Sequence, residues 1–109
     1  MKDNEKIILG KIKTYAAQAL QFKGNMDFAT FSNDSKTIAA CAMSLTQIGE
    51  LAAQLDDDFI ESNSNIPWRK IRGMRNRIVH DYEGLLLNIV WDVLEEFLPE
   101  LIVNITDRE

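Results

Sequence analysis

Six apolar or small positions, Ile38, Cys41, Leu45, Ile48, Ala52 and Leu55, recur every three or four residues across residues 35–55. This seam fits one face of an α-helix and no strand, because side chains on a strand alternate with a period of two. Ala39, Ala40, Ala42, Gly49 and Ala53 flank it. Small side chains let another helix come close, within the molecule or between two copies of it. The segment therefore predicts a helix packed inside a helical bundle. Cys41 sits in the seam and reads as an inert core thiol. Glu50 lies beside the seam, either as a solvated charge or as the partner of an arginine such as Arg75.

The rest of the chain extends the same pattern. In residues 3–22, Ile8, Ile12, Tyr15, Ala19 and Phe22 step by four, three, four and three, again an apolar stripe. Asp3 and Glu5 suit the positive end of that helix dipole, and Gly24 and Asn25 are stop signals. Residues 25–36 read as a loop with one short helical turn, pinned to the core by Phe28 and Phe31. Ser32, Asn33, Asp34 and Ser35 offer N-caps for the next helix. Asp56, Asp57 and Asp58 form a polar turn or a helix start rather than a metal site, since no ligand spacing surrounds them. Phe59 and Ile60 anchor a short turn, and residues 62–65 a loop. Leu86, Ile89, Val90, Val93, Leu94 and Phe97 predict a helix over 85–97, with Asp92, Glu95 and Glu96 facing out. Pro99 begins a last helix carrying Leu101, Ile102 and Ile105. No alternation of apolar and polar residues predicts a sheet. The expectation is an all-α antiparallel bundle of four to five helices, with residues 1–109 as one domain.

Composition narrows the function. No apolar run approaches the roughly 20 residues needed to span a bilayer. The N-terminal residues lack a signal-peptide pattern, because Lys11 and Lys13 interrupt the apolar stretch. A single cysteine excludes an intramolecular disulfide framework, so the cytoplasm is the expected compartment. One histidine and one cysteine cannot form a zinc-ligand cluster, and neither metal nor cofactor is expected. The net charge of −5 argues against broad coating of nucleic acid, though not against a local basic cleft.

Such a cleft has a candidate in residues 66–82. Five of the chain's twelve basic residues and none of its seventeen acidic ones fall between Arg69 and Arg77, leaving seven basic against seventeen acidic residues elsewhere. The block is a local electrostatic feature rather than an average property. A helix beginning near Pro67 gathers Trp68, Ile71, Met74, Ile78, Val79 and Tyr82 on one broad stripe. His80, the only histidine, lies on the other side with Arg69, Arg72, Asn76 and Arg77. Gly73 sits beside His80, where a missing side chain would admit another backbone. Arg75 falls inside the apolar stripe. A guanidinium keeps its charge, so it must snorkel, pair with a carboxylate or point into a polar cleft. From the residues alone, a structural ion pair for Arg75, a solvated His80 and a solvated basic face all remain open.

The run Ile66-Pro67-Trp68-Arg69-Lys70-Ile71, followed by Arg75-Asn76-Arg77-Ile78-Val79-His80-Asp81-Tyr82, resembles the signature of HEPN-domain ribonucleases. It is most similar to HepT-like toxins of toxin–antitoxin pairs. Their motif is Arg, a polar residue, three further residues, His, one residue and Tyr, which Arg75, Asn76, His80 and Tyr82 match without a gap. Gln47-Ile48-Gly49-Glu50 resembles a family element on the preceding helix. The resemblance covers about residues 5 to 103. A bare Arg-x4-His is common by chance; the full run is much more specific.

The resemblance implies a homodimeric, metal-independent endoribonuclease of a type II-like toxin–antitoxin system. Cleavage needs a base for the ribose 2′-OH, an acid for the leaving 5′-oxygen and positive charge on the transition state. His80 suits proton transfer near neutral pH, Arg75 suits the phosphate, and Asn76 suits orientation of either. Arg69, Arg72 and Arg77 are candidate contacts to flanking RNA phosphates. Five residues on one helix separate Arg75 from His80 by about 140°. The family resolves this by bringing the two signature helices of a dimer together at one cleft. The family further implies that Tyr82 is adenylylated by an MNT-type nucleotidyltransferase antitoxin. From sequence alone, a phenol packed at the core edge competes with that role. The alternative function is a non-catalytic HEPN subunit that regulates a nucleotidyltransferase complex.

Overall fold

The computed structural model describes residues 2–81 and 87–109, apart from the side chains of residues 79–81. Helix α1 spans Asp3–Lys23, and its N-terminus is closed by Glu5, whose carboxylate accepts the Lys2 backbone N–H at 3.1 Å. It stops at Gly24, whose φ of +55° is a conformation that a residue with a Cβ rarely adopts. Asp27 caps the short α2, Phe28–Ser32, by accepting the Thr30 N–H at 2.8 Å. Asp34 caps α3, Ser35–Ala52, in the same way through the Thr37 N–H at 3.0 Å. These bonds to backbone N–H groups hold both carboxyls below the usual aspartate range. The acidic run opens α4, Asp57–Ser62, with Asp56 as its N-cap. Helix α5, Trp68–Asp81, follows, and then α6, Leu87–Asp92. A wide π turn, Val93–Phe97, joins α6 to α7, Leu98–Arg108, without a break in the helical backbone.

The contacts fix the direction of packing. Lys2 meets Asp56 while Ser44 bonds to Gln18, so α1 and α3 are antiparallel. Arg72 meets Ala52 while Arg75 meets Glu50, so α3 and α5 are antiparallel. Lys13 pairs with Glu109 and Lys23 with Glu95, so the C-terminal helices run antiparallel to α1. The core between them holds Ile12, Phe31, Leu45, Ile48, Trp68, Ile71, Leu94 and Ile105, all essentially inaccessible to solvent. The fold is the expected all-α bundle. Cys41 is buried within it, and burial pushes its thiol up to about 11 despite the opposing charge of Lys23.

Several local expectations need correction. Phe22 is 40% exposed, and Leu9 and Ala16 complete the buried face of α1 instead. Tyr15 is only partly buried against the core. Phe31 is fully buried as expected, whereas Phe28 stays exposed at the surface with its ring 5.5 Å from that of Trp91. Pro99 stands in the first turn of α7, as expected, but that helix follows α6 through the π turn without a gap. A proline ring ordinarily collides with the carbonyl four residues back, but the π turn moves those carbonyls out of α geometry. There the Leu98 N–H bonds to the Val93 oxygen, five residues earlier. The expected break at Glu83 and Gly84, and the positions of Leu85 and Leu86, lie outside the described residues.

Within the chain, the glycine that brings two helices together is Gly49. A Cβ at Gly49 would stand 3.1 Å from the Ile71 carbonyl oxygen and 3.2 Å from both the backbone nitrogen and the Cβ of Arg75. A Cβ at Gly73 would meet nothing within 4 Å. Gly49→Ala is therefore expected to force α3 and α5 apart at a rigid contact. Overpacking of this kind costs about 1–3 kcal/mol. Urea denaturation checks this: a midpoint equal to that of the parent protein would show that the contact can relax.

Candidate active site

The basic helix α5 is anchored at its start. Ile66 and Trp68 are buried, the Trp68 indole N–H donates to the Asn63 carbonyl at 3.2 Å, and its ring packs 5.9 Å from that of Phe59. The loop before it is held from the far end of the chain. Arg108 donates through Nε to the Asn63 side-chain oxygen at 2.6 Å and through Nη2 to that of Asn65. Ile71 and Ile78 then turn one face of α5 into the core, and the polar side is left for chemistry.

Arg75 stands where α5 passes close against Gly49 of α3. Its side chain is 50% exposed and forms an ion pair with Glu50, itself 47% exposed, with Nε the nearest nitrogen to the carboxylate. Nη1 of Arg75 donates to Oδ1 of Asn76 at 3.1 Å. The guanidinium is thus paired with a carboxylate yet open to solvent. Arg75, Asn76 and Glu50 come together in one cluster drawn from two helices. Arg69 and Arg77 are exposed along the same helix. His80 belongs to the last turn of α5, and its side chain lies outside the described residues, as does Tyr82 entirely.

Arg72 has a different occupation from the one its sequence position suggests. It donates through Nε to the Ala52 carbonyl at 3.1 Å and through Nη2 to the Leu55 carbonyl at 2.9 Å. Ala52 is the last residue of α3, its carbonyl also accepting the Leu55 N–H at 3.2 Å, and Leu55 lies in the turn that follows. Two donors of Arg72 are therefore committed to closing that terminus. Charge-assisted bonds of this kind contribute about 1.5–3 kcal/mol each. Arg72→Ala is expected to lower unfolding free energy by an amount of that order in urea titrations. A variant with unchanged stability and weakened RNA binding would return Arg72 to the phosphate-binding set.

A second feature has no signal in the sequence. A groove of about 580 Å³ runs between α5 and the C-terminal helices. Gly73, Met74 and Ile78 line it from α5, and Ile89, Val93 and Phe97 line it from the opposite side. Lys70 and Arg77 stand at its basic edge, and Asp92, Glu96 and Glu100 at its acidic edge. The empty space at Gly73 opens into this groove. Among the described residues, no helix is long and apolar enough to cross a membrane.

Comparison with known proteins places this chain in a family. Residues 12–107 match the HepT-like ribonuclease family. A probable ribonuclease HepT from Thermococcus cleftensis is 31% identical over 101 residues, covering 93% of this chain and 92% of the relative. The RNase MJ0127 of Methanocaldococcus jannaschii, provisionally so named, is 33% identical over 88 residues, 81% of this chain and 73% of the relative. An RNase of Caldanaerobacter subterraneus, TTE0752, also provisionally named, is 36% identical over 76 residues, 70% of this chain and 68% of the relative. No solved structure matches the sequence. With a match that runs from α1 to the end of α7, the chain belongs to the HepT-like ribonuclease family.

Proposed function

We propose that this chain is the ribonuclease toxin of a toxin–antitoxin pair, cutting RNA without a metal at a site built from α5. The observation that carries the reading is Arg75: a half-exposed guanidinium, next to Asn76, inside an uninterrupted Arg-x4-His-x-Tyr run of a HepT-like chain. In the reaction, the ribose 2′-oxygen attacks the adjacent phosphorus and the bond to the 5′-oxygen breaks. The 2′-hydroxyl proton leaves to a base, and the departing 5′-oxygen gains one from an acid. His80 is assigned to proton transfer. Arg75 neutralises the charge that builds on the phosphoryl oxygens, through the two-pronged N–H geometry that suits them. Asn76 orients Arg75. Arg69 and Arg77, both exposed on α5, are assigned to flanking phosphates. The product is a 2′,3′-cyclic phosphate.

The proposal includes a two-fold dimer, with residues 68–82 near the axis. The groove beside Gly73 supports it. Its floor is apolar, and its basic and acidic edges complement each other when a second copy is turned through half a revolution. RNA incubated with the purified protein in excess EDTA is the direct test. Cleavage to cyclic-phosphate ends is expected, and intact RNA at every protein concentration would rule the reading out. Sedimentation at micromolar concentration is expected to give a dimer. Gly73→Leu, which fills open space within the chain, should leave the helical circular-dichroism signal intact and weaken association at least tenfold. The neutralising partner is assigned as an MNT-type nucleotidyltransferase that modifies Tyr82, and the compartment as the cytoplasm.

A further inference from the structure

We infer that Glu50 is the positioning residue for Arg75: it fixes the plane of the guanidinium so that a phosphate meets an oriented cation. The inference rests on the ribonuclease reading of Arg75. Both ends of this side chain are held from one turn of α3. The root of Arg75 lies against Gly49, where even a methyl group would come within 3.2 Å of its Cβ. The head meets the carboxylate of Glu50, the next residue along α3. Asn76 takes a hydrogen from Nη1 at 3.1 Å, so a second neighbour fixes the same plane.

Stability does not account for this arrangement. Both charges are about half exposed, at 50% and 47%, and ion pairs in that setting contribute little to folding. Orientation does account for it. A long side chain at the surface otherwise samples many rotamers, and an arginine engages a phosphate through a rigid planar fork whose direction matters. The carboxylate approaches nearest at Nε, the inner nitrogen of the head. A competitor for the phosphate would instead cover the outer Nη1 and Nη2 pair. The Glu50 contact therefore aims the guanidinium rather than blocking it.

The kinetic signature differs from that of a structural residue. Glu50→Gln keeps the shape and removes the charge. It is expected to lower kcat at least tenfold on a short RNA, with KM unchanged or reduced, because a negative charge beside the phosphate is also lost. The thermal midpoint should move by no more than a degree or two. In an Arg75→Ala background, Glu50→Gln should cause no further loss, since the residue it acts through is gone. A readout independent of activity accompanies these rates: the Arg75 Nε–Hε signal in nitrogen-15 NMR, assigned by its loss in Arg75→Lys. It is expected to be ordered in the parent protein and to become mobile in Glu50→Gln. An unchanged signal overturns the inference whether or not RNA is cut. So does unchanged or increased kcat in Glu50→Gln. A parent protein that leaves RNA intact while Arg75 loses order in Glu50→Gln removes the ribonuclease reading and keeps Glu50 as the residue that orients Arg75.

Discussion

His80→Ala is expected to lower the rate of RNA cleavage by two orders of magnitude or more, with Arg75→Ala at least as severe. The size follows from the steps assigned to each. Proton transfer by a positioned side chain typically accelerates a reaction by about 10²–10⁴. Removal of a preorganised charge from a transition state typically costs about 10²–10³ in rate. His80 is the only histidine, so no neighbour of the same type takes over its proton transfer. The Arg75 side chain is half exposed, so the loss in Arg75→Ala should appear in kcat with the thermal midpoint nearly unchanged. Single-turnover cleavage of a defined RNA in EDTA, in preparations of matched purity, measures the effect. If His80→Ala cleaves as fast as the parent protein, the activity belongs to another residue or to a contaminant.

Modification of Tyr82 is expected to abolish the same cleavage. In the proposed step, the Tyr82 hydroxyl oxygen attacks the α-phosphorus of ATP. The bond to pyrophosphate breaks, the phenolic proton is lost, and the protein gains one AMP through a phosphodiester. The added phosphate is negative and stands two residues from His80 on the chain, where it competes with an RNA phosphate for the cationic side of α5. Incubation with the partner nucleotidyltransferase, ATP and magnesium should raise the mass by one or more AMP units and silence the enzyme. Tyr82→Phe should remain active and keep its original mass. Mapping of the modification to Tyr15, the other tyrosine, would overturn the assignment. Inhibition of Tyr82→Phe as complete as that of the parent, with no stable complex formed, would do the same.

The sequence was most informative where burial repeats with the helical period. Of the seam expected over 35–55, Cys41, Leu45, Ile48 and Ala52 are buried on α3, Leu55 is buried in the turn past its end, and Ile38 is partly buried. The stripe proposed for α1 drifted because its spacing averages 3.5 residues, while the helix turns every 3.6. Over the fourteen residues from Ile8 to Phe22 the mismatch reaches about 40°, and Phe22 emerges at the surface. The bonds of Arg72 and the surroundings of Gly73 were not legible for a different reason. Which carbonyls an arginine reaches, and which glycine faces another backbone, depend on how α3 crosses α5. No local pattern encodes that crossing. The neighbourhood of Arg75 was more legible, since a cation on an apolar stripe demands a partner. The chain carries seventeen acidic residues, however, and only the packing of Gly49 on α5 brings Glu50 to it rather than another.

The π turn at Val93–Phe97 has a consequence for chain length. A turn closed by a bond spanning five residues holds one residue more than an α turn, and the helix beyond it keeps its facing. Deleting one residue here would close the turn to α geometry and leave Leu98, Leu101 and Ile105 directed at the core. Pro99 would have to be replaced in the same step, because its ring would then strike the carbonyl four residues back. The same deletion within α3 would rotate everything beyond it by about 100° and swing half of the buried seam into water. A one-residue deletion is thus expected to be better accommodated in this turn than in the helix that carries Gly49 and Glu50.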